Sequence, residues 1–141
     1  MEGLLAYALL ACKGFDSEQE YETRLHEMFL ANPKDNILLE LELMSGDMWE
    51  SAEYIKNNMH RPIDKEAFGR IIVKRLEEYY RSMELREFAP MAYELWRSLP
   101  SEVDHEQPLC VLHYADDPIS YGDEEQSRAF YEEIFGYYNN D

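Results

Sequence analysis

The sequence predicts an all-α protein, six to eight helices in stacked antiparallel helical hairpins, and three observations carry that expectation. Apolar residues recur at helical spacing along most of the chain. No segment reads as a strand with a second strand to pair with. Chain breakers also fall at regular intervals: Asn32-Pro33, Arg61-Pro62 and Leu99-Pro100 each follow a helical pattern and precede an apolar segment.

Taken in order, Met1 to Cys12 reads as a first amphipathic helix. Leu9-Leu10-Ala11-Cys12 has the look of a lipoprotein cleavage box, but Met1-Glu2-Gly3 carries none of the positive charge a secretory leader needs. Tyr21, Leu25, Met28 and Phe29 form the next stripe, started by Asp16 or Ser17 and stopped at Asn32-Pro33. Leu39-Glu40-Leu41-Glu42-Leu43 alternates like a half-buried strand, yet Ile37, Leu38, Leu41 and Met44 fit one helix face. Leu and Glu are strong helix formers, so the helix is preferred. Phe68, Ile71, Ile72, Leu76, Tyr79, Tyr80 and Met83 make a long stripe opened by Asp64 as N-cap. Phe88, Met91, Ala92, Leu95, Trp96 and Leu99 make another. Pro90 is expected in its first turn, where amides lack helical acceptors, which places the start at Leu85 to Glu87.

Pro100 to Tyr121 is the least regular stretch. Pro108 to Tyr114 is apolar and suits either a short buried helix or a lone strand, and Asp116-Asp117-Pro118 signals a turn. The last stripe is Ala129, Phe130, Ile134, Tyr137 and Tyr138, entered through Gly122-Asp123 with acids in the first turn, where the helix dipole favours them. Shorter breaks at Gly14-Phe15-Asp16, Ser45-Gly46-Asp47, Ser82-Met83-Glu84 and Tyr121-Gly122-Asp123 complete four helix–break–helix repeats, 1–33, 34–62, 63–100 and 101–141. Their mean of about 35 residues is typical of two-helix repeats.

The chain has 141 residues, with 30 acids against 13 bases and a net charge of −17. That length suits a single domain, 1–141, and 45% apolar residues suffice for a core. So negative a chain is not expected to bind nucleic acid directly or an anionic membrane. No apolar run approaches the roughly 20 residues of a membrane span. Cys12 and Cys110 read as free thiols in a reducing cytoplasm. Charge is uneven: residues 1–55 hold 12 acids and 3 bases, 56–100 hold 7 and 9, and 101–141 hold 11 and 1.

Gly46-Asp47-Met48-Trp49-Glu50-Ser51-Ala52-Glu53-Tyr54-Ile55 offers a Gly-Asp turn followed by an aromatic, a small packing residue and a second aromatic. Arg86 to Pro100, with Ala92, Tyr93, Trp96 and the closing proline, looks like another such second helix. In these segments the chain loosely resembles the tetratricopeptide repeat family. Ala52 comes one residue later than the family's pattern asks, Gly14 has no matching alanine downstream, and repeat lengths vary. The resemblance implies stacked helical hairpins and a protein- or peptide-binding role without catalysis. It carries over no ligand contact, because the matching positions are packing positions.

Several constellations invite chemistry. Glu18, Glu22 and His26 share a helix face, but Glu22 and His26 miss the Glu-x-x-His spacing of di-metal bundles and have no second copy. Asp104-His105-Glu106, Cys110, His113, Asp116 and Asp117 flank one apolar segment, where Cys110-x-x-His113 is half a zinc motif. Cys110 sits between apolar neighbours, which favours an inert thiol over a thiolate nucleophile. No Gly-rich phosphate loop, Gly-x-Ser-x-Gly elbow or Cys-x-x-Cys pair occurs. No metal, cofactor or catalytic residue is therefore expected.

Tyrosines crowd the second half. Periodicity assigns Tyr80, Tyr93 and Tyr138 to helix seams and leaves Tyr121, Tyr131 and Tyr137 as rigid contact residues amid carboxylates. With Asp123, Glu124 and Glu125 they form the expected partner-binding set. The expected function is a non-enzymatic acidic domain that binds a basic protein or peptide, for instance as an immunity- or antitoxin-like inhibitor. The alternatives are a tetratricopeptide-like scaffold for a peptide or helix, and an enzyme or metal site around Cys110, His105 and His113.

Overall fold

The computed structural model describes residues 1–44 and 46–140. Among them there is no strand. The chain folds into helices α1 (Glu2–Cys12), α2 (Glu18–Ala31), α3 (Asn36–Leu43), α4 (Met48–Asn58), α5 (Lys65–Ser82), α6 (Leu85–Ser98), α7 (Ser101–Asp104), α8 (Asp117–Ser120) and α9 (Glu124–Gly136). Two 3-10 helices, Leu109–His113 and Tyr137–Asn140, complete the described residues. Seven of the α-helices have eight or more residues, within the expected range. The remaining two are single turns in the irregular stretch after Pro100. These elements divide into one compact unit over Met1–Phe68 and a second from Gly69 onward, with α5 beginning in the first.

In the first unit α1 packs against α2 and α4, and α3 against the same two helices. The sequence expectation of an amphipathic α1 is corrected here. Gly3, Leu4, Leu5, Ala6, Ala8, Leu9 and Leu10 are all buried, so the helix is enclosed on nearly every side. Its apolar run is the centre of a core. Around it lie Phe15, Tyr21, Leu25, Leu38, Leu41, Ala52 and Ile55, all buried. Arg24 of α2 lies across Gly3, where a side chain would collide with the guanidinium.

The second unit has an aromatic core. Tyr80 of α5, Phe88 of α6, and Tyr131 and Phe135 of α9 form a cluster. Ring centroids are 5.4 Å apart for Tyr80–Phe88, 5.1 Å for Phe88–Tyr131 and 5.0 Å for Tyr80–Phe135. Such edge-to-face and tilted pairs add about 0.5–1.5 kcal/mol each beyond the area they bury. Arg81 fastens α5 to α9 through both carboxylate oxygens of Glu132, and also pairs with Glu77 at 2.9 Å.

Two expectations about α6 and α9 change. Pro90 lies in the second turn of α6, because the helix begins at Leu85. Arg86, four residues earlier, and Pro90 are both exposed, so the carbonyl that loses its helical donor can reach water. On α9 the buried face is Ser127, Tyr131, Ile134 and Phe135, while Ala129 and Tyr137 are exposed. Both stripes obey helical spacing. The rings of Tyr80 and Phe88 decide between them by drawing Tyr131 inward.

Pro108 to Tyr114, open between helix and strand in the sequence, forms a 3-10 helix that buries Leu109, Val111 and Leu112. Trp96 ties this stretch to α6. Its indole N–H donates to the Asp104 carbonyl at 2.8 Å, and its ring stacks on His113 with centroids 4.4 Å apart.

Candidate protein-interaction surface

The turn joining α8 to α9 is built from Tyr121-Gly122-Asp123. Gly122 has φ +86°, a left-handed conformation that glycine adopts without the strain a side chain brings. The chain can then place Asp123 as N-cap of α9, its carboxylate accepting from the Gln126 amide at 3.1 Å. The same device opens α4, where Gly46 at φ +98° precedes Asp47, which accepts from the Glu50 amide at 3.0 Å. Ser45, the first residue of that break in the sequence, lies outside the described residues.

Tyr121 lies over the first turn of α9, its hydroxyl donating to Gln126 Oε1 at 3.3 Å, and its side chain is 67% exposed. Asp117, Asp123 and Glu125 around it are exposed, and none has a cationic partner among the described residues. Beside this corner a cavity of about 250 Å³ is lined by Arg86, Ala89, Pro90, Asp116, Ile119 and Ser120. Burial, and then the neighbouring Asp117, hold the Asp116 carboxyl above the usual aspartate range, with His113 pulling the other way. One Asp116 oxygen is buried and has no hydrogen-bond partner.

Of the six expected contact residues, three meet at this corner with their surface open: Tyr121, Asp123 and Glu125. Glu124 is there too, but Arg86 Nε pairs with it at 2.9 Å, so its charge is already matched. Tyr137 is 45% exposed at the other end of α9, about 20 Å along the helix, and packs edge-on against Tyr138. Tyr131 is corrected outright. It is 1% exposed, and burial drives its hydroxyl far above the ordinary tyrosine value. It is a core residue.

The chemistry around Cys110 is equally specific. Burial, with Glu106 and Glu133 adding to it, raises the Cys110 thiol, the reverse of what a thiolate nucleophile requires. His113 is engaged by Trp96, and His105 lies beside Asp104 and Glu106. Among the described residues no three His, Cys, Asp or Glu side chains gather as a metal site.

The solvent face of α3 lies outside the expected contact residues. Leu39 and Leu43 are 41% and 73% exposed, and Trp49 at the start of α4 is exposed as well. The signal was present: once Leu39 to Leu43 is a helix, Leu39 and Leu43 lie four apart on a face that Leu38 and Leu41 do not share. Comparison with protein-family models, with curated proteins and with solved structures finds no match.

Proposed function

We propose that this chain is a non-enzymatic acidic interaction domain that binds a basic protein partner through the α8–α9 corner of its second unit. One observation carries the reading: Tyr121 stands largely exposed among Asp117, Asp123 and Glu125, carboxylates without cationic partners among the described residues, in a chain of net charge −17. A rigid aromatic ringed by such charge supplies contact area and steers a cationic surface toward it. An immunity- or antitoxin-like inhibitor, whose carboxylates occupy a phosphate-binding groove, is the concrete form. The free thiols Cys12 and Cys110 support a cytoplasmic setting.

The test is to recover the partner by cross-linking capture and to compare variants. Tyr121→Ala is expected to weaken binding at least tenfold, and Glu125→Lys to slow association. If neither effect is seen, or if the recovered partner lacks basic character, the reading is overturned. The tetratricopeptide-like alternative, a scaffold for a peptide or helix, draws its support from the exposed Leu39, Leu43 and Trp49.

A further inference from the structure

We propose that a cavity in the first unit binds a small amphipathic carboxylate, an apolar chain ending in one anionic group. The cavity forms where the C-terminal end of α2, the start of α3 and the exit of α4 meet, and measures about 450 Å³. That volume lies in the range of sites that enclose small molecules. Its apolar wall includes Met28, Ile37, Leu38 and Met59. Methionine side chains adapt to ligands of varied shape.

The charged groups at the rim fix the sign of the ligand. Asp35 is committed to α3, its Oδ1 accepting from the amides of Ile37 at 2.9 Å and Leu38 at 3.3 Å. Arg61 is exposed and has no carboxylate within ion-pair distance among the described residues, though its field reaches Glu2. The Met1 ammonium also lines the cavity but is paired with Glu2 at 3.7 Å, so the Arg61 guanidinium is the lining cation left without a carboxylate partner among the described residues. A carboxylate finds a donor there that an alcohol of equal length cannot use as well. The proposal is independent of the acidic corner in the second unit.

Calorimetric titration of the whole chain with decanoate, hexanoate and decanol tests it. One site is expected, with affinity rising about fourfold per methylene from hexanoate to decanoate. Decanol should bind at least tenfold more weakly than decanoate. Arg61→Gln should abolish that difference while leaving decanol unchanged, and Met59→Trp, which fills the cavity, should weaken both ligands at least tenfold. Should Met59→Trp lower the melting temperature, the exposed Arg61 variant still decides. Absence of saturable decanoate binding, equal affinity for decanol, or indifference to Arg61→Gln would overturn the proposal. Tighter binding of a peptide ending in a free leucine carboxylate would assign the cavity to a chain terminus and overturn it as well.

Discussion

In the first unit the centre is a helix of leucines and alanines. In the second it is four aromatic rings drawn from three helices. The units carry similar excesses of acid, yet their interiors differ in how position is specified. An enclosed aliphatic helix is held by close packing from its neighbours, which depends on volume. The aromatic cluster adds ring geometry, and its rim is fastened by Arg81–Glu132 and Arg86–Glu124, pairs 51 and 38 residues apart. The second unit thus adds exposed ion pairs to its ring cluster, and Asp117, Asp123 and Glu125 are among the acids that take no part in them.

The sharpest way to break that contrast is to hollow each centre. Phe88→Ala should cost about 3–5 kcal/mol and Leu9→Ala about 2–5 kcal/mol in urea unfolding. A Leu9→Ala cost below about 1 kcal/mol would remove α1 from the centre of its unit. Next in size are the caps. Asp47→Ala and Asp123→Ala should each cost about 1 kcal/mol, since each leaves a helix-opening amide without its acceptor.

Titration sharpens the comparison further. Burial holds the Tyr131 hydroxyl above its ordinary value of 10.0, so the folded state keeps a proton that the unfolded chain releases. Its contribution to stability is complete below that pH and declines as pH rises above it. Tyr131→Phe should flatten this alkaline decline. Hydrogen bonding from Arg81 holds Glu132 below the ordinary 4.5, so its contribution is present above that pH and is lost as pH falls through the lower folded value. Arg81→Met should shrink the acid-side loss. The smallest effect concerns Asp116, whose raised value makes its ionised form unfavourable in the fold. Its contribution is complete below about pH 3.8 and falls as pH rises, so Asp116→Asn should raise the melting temperature slightly at neutral pH.

Helix positions were legible because apolar spacing and breakers are local. The N-cap Asp64, which accepts from the Ala67 amide at 3.1 Å, and the breaks at Gly46-Asp47 and Gly122-Asp123 follow directly from them. What was not legible depends on the neighbours. The burial of α1 on nearly every side requires α2 and α4 against it, and the facing of α9 requires the rings of Tyr80 and Phe88. The candidate surface was half legible for the same reason. Tyr121 and Glu125 sit at a turn whose exposure the Gly-Asp signal announces, whereas Tyr131 could be placed only by its partners. Glu124 was an acid in sequence and an ion pair in space.

The central claim is that unmatched carboxylates beside Tyr121 receive a basic partner. Its most direct test is the association rate with the captured partner, measured by stopped flow as salt rises from about 50 to about 500 mM. The rate is predicted to fall at least tenfold, and Glu125→Lys to reduce the low-salt rate toward the high-salt one. A rate that ignores salt would contradict the claim.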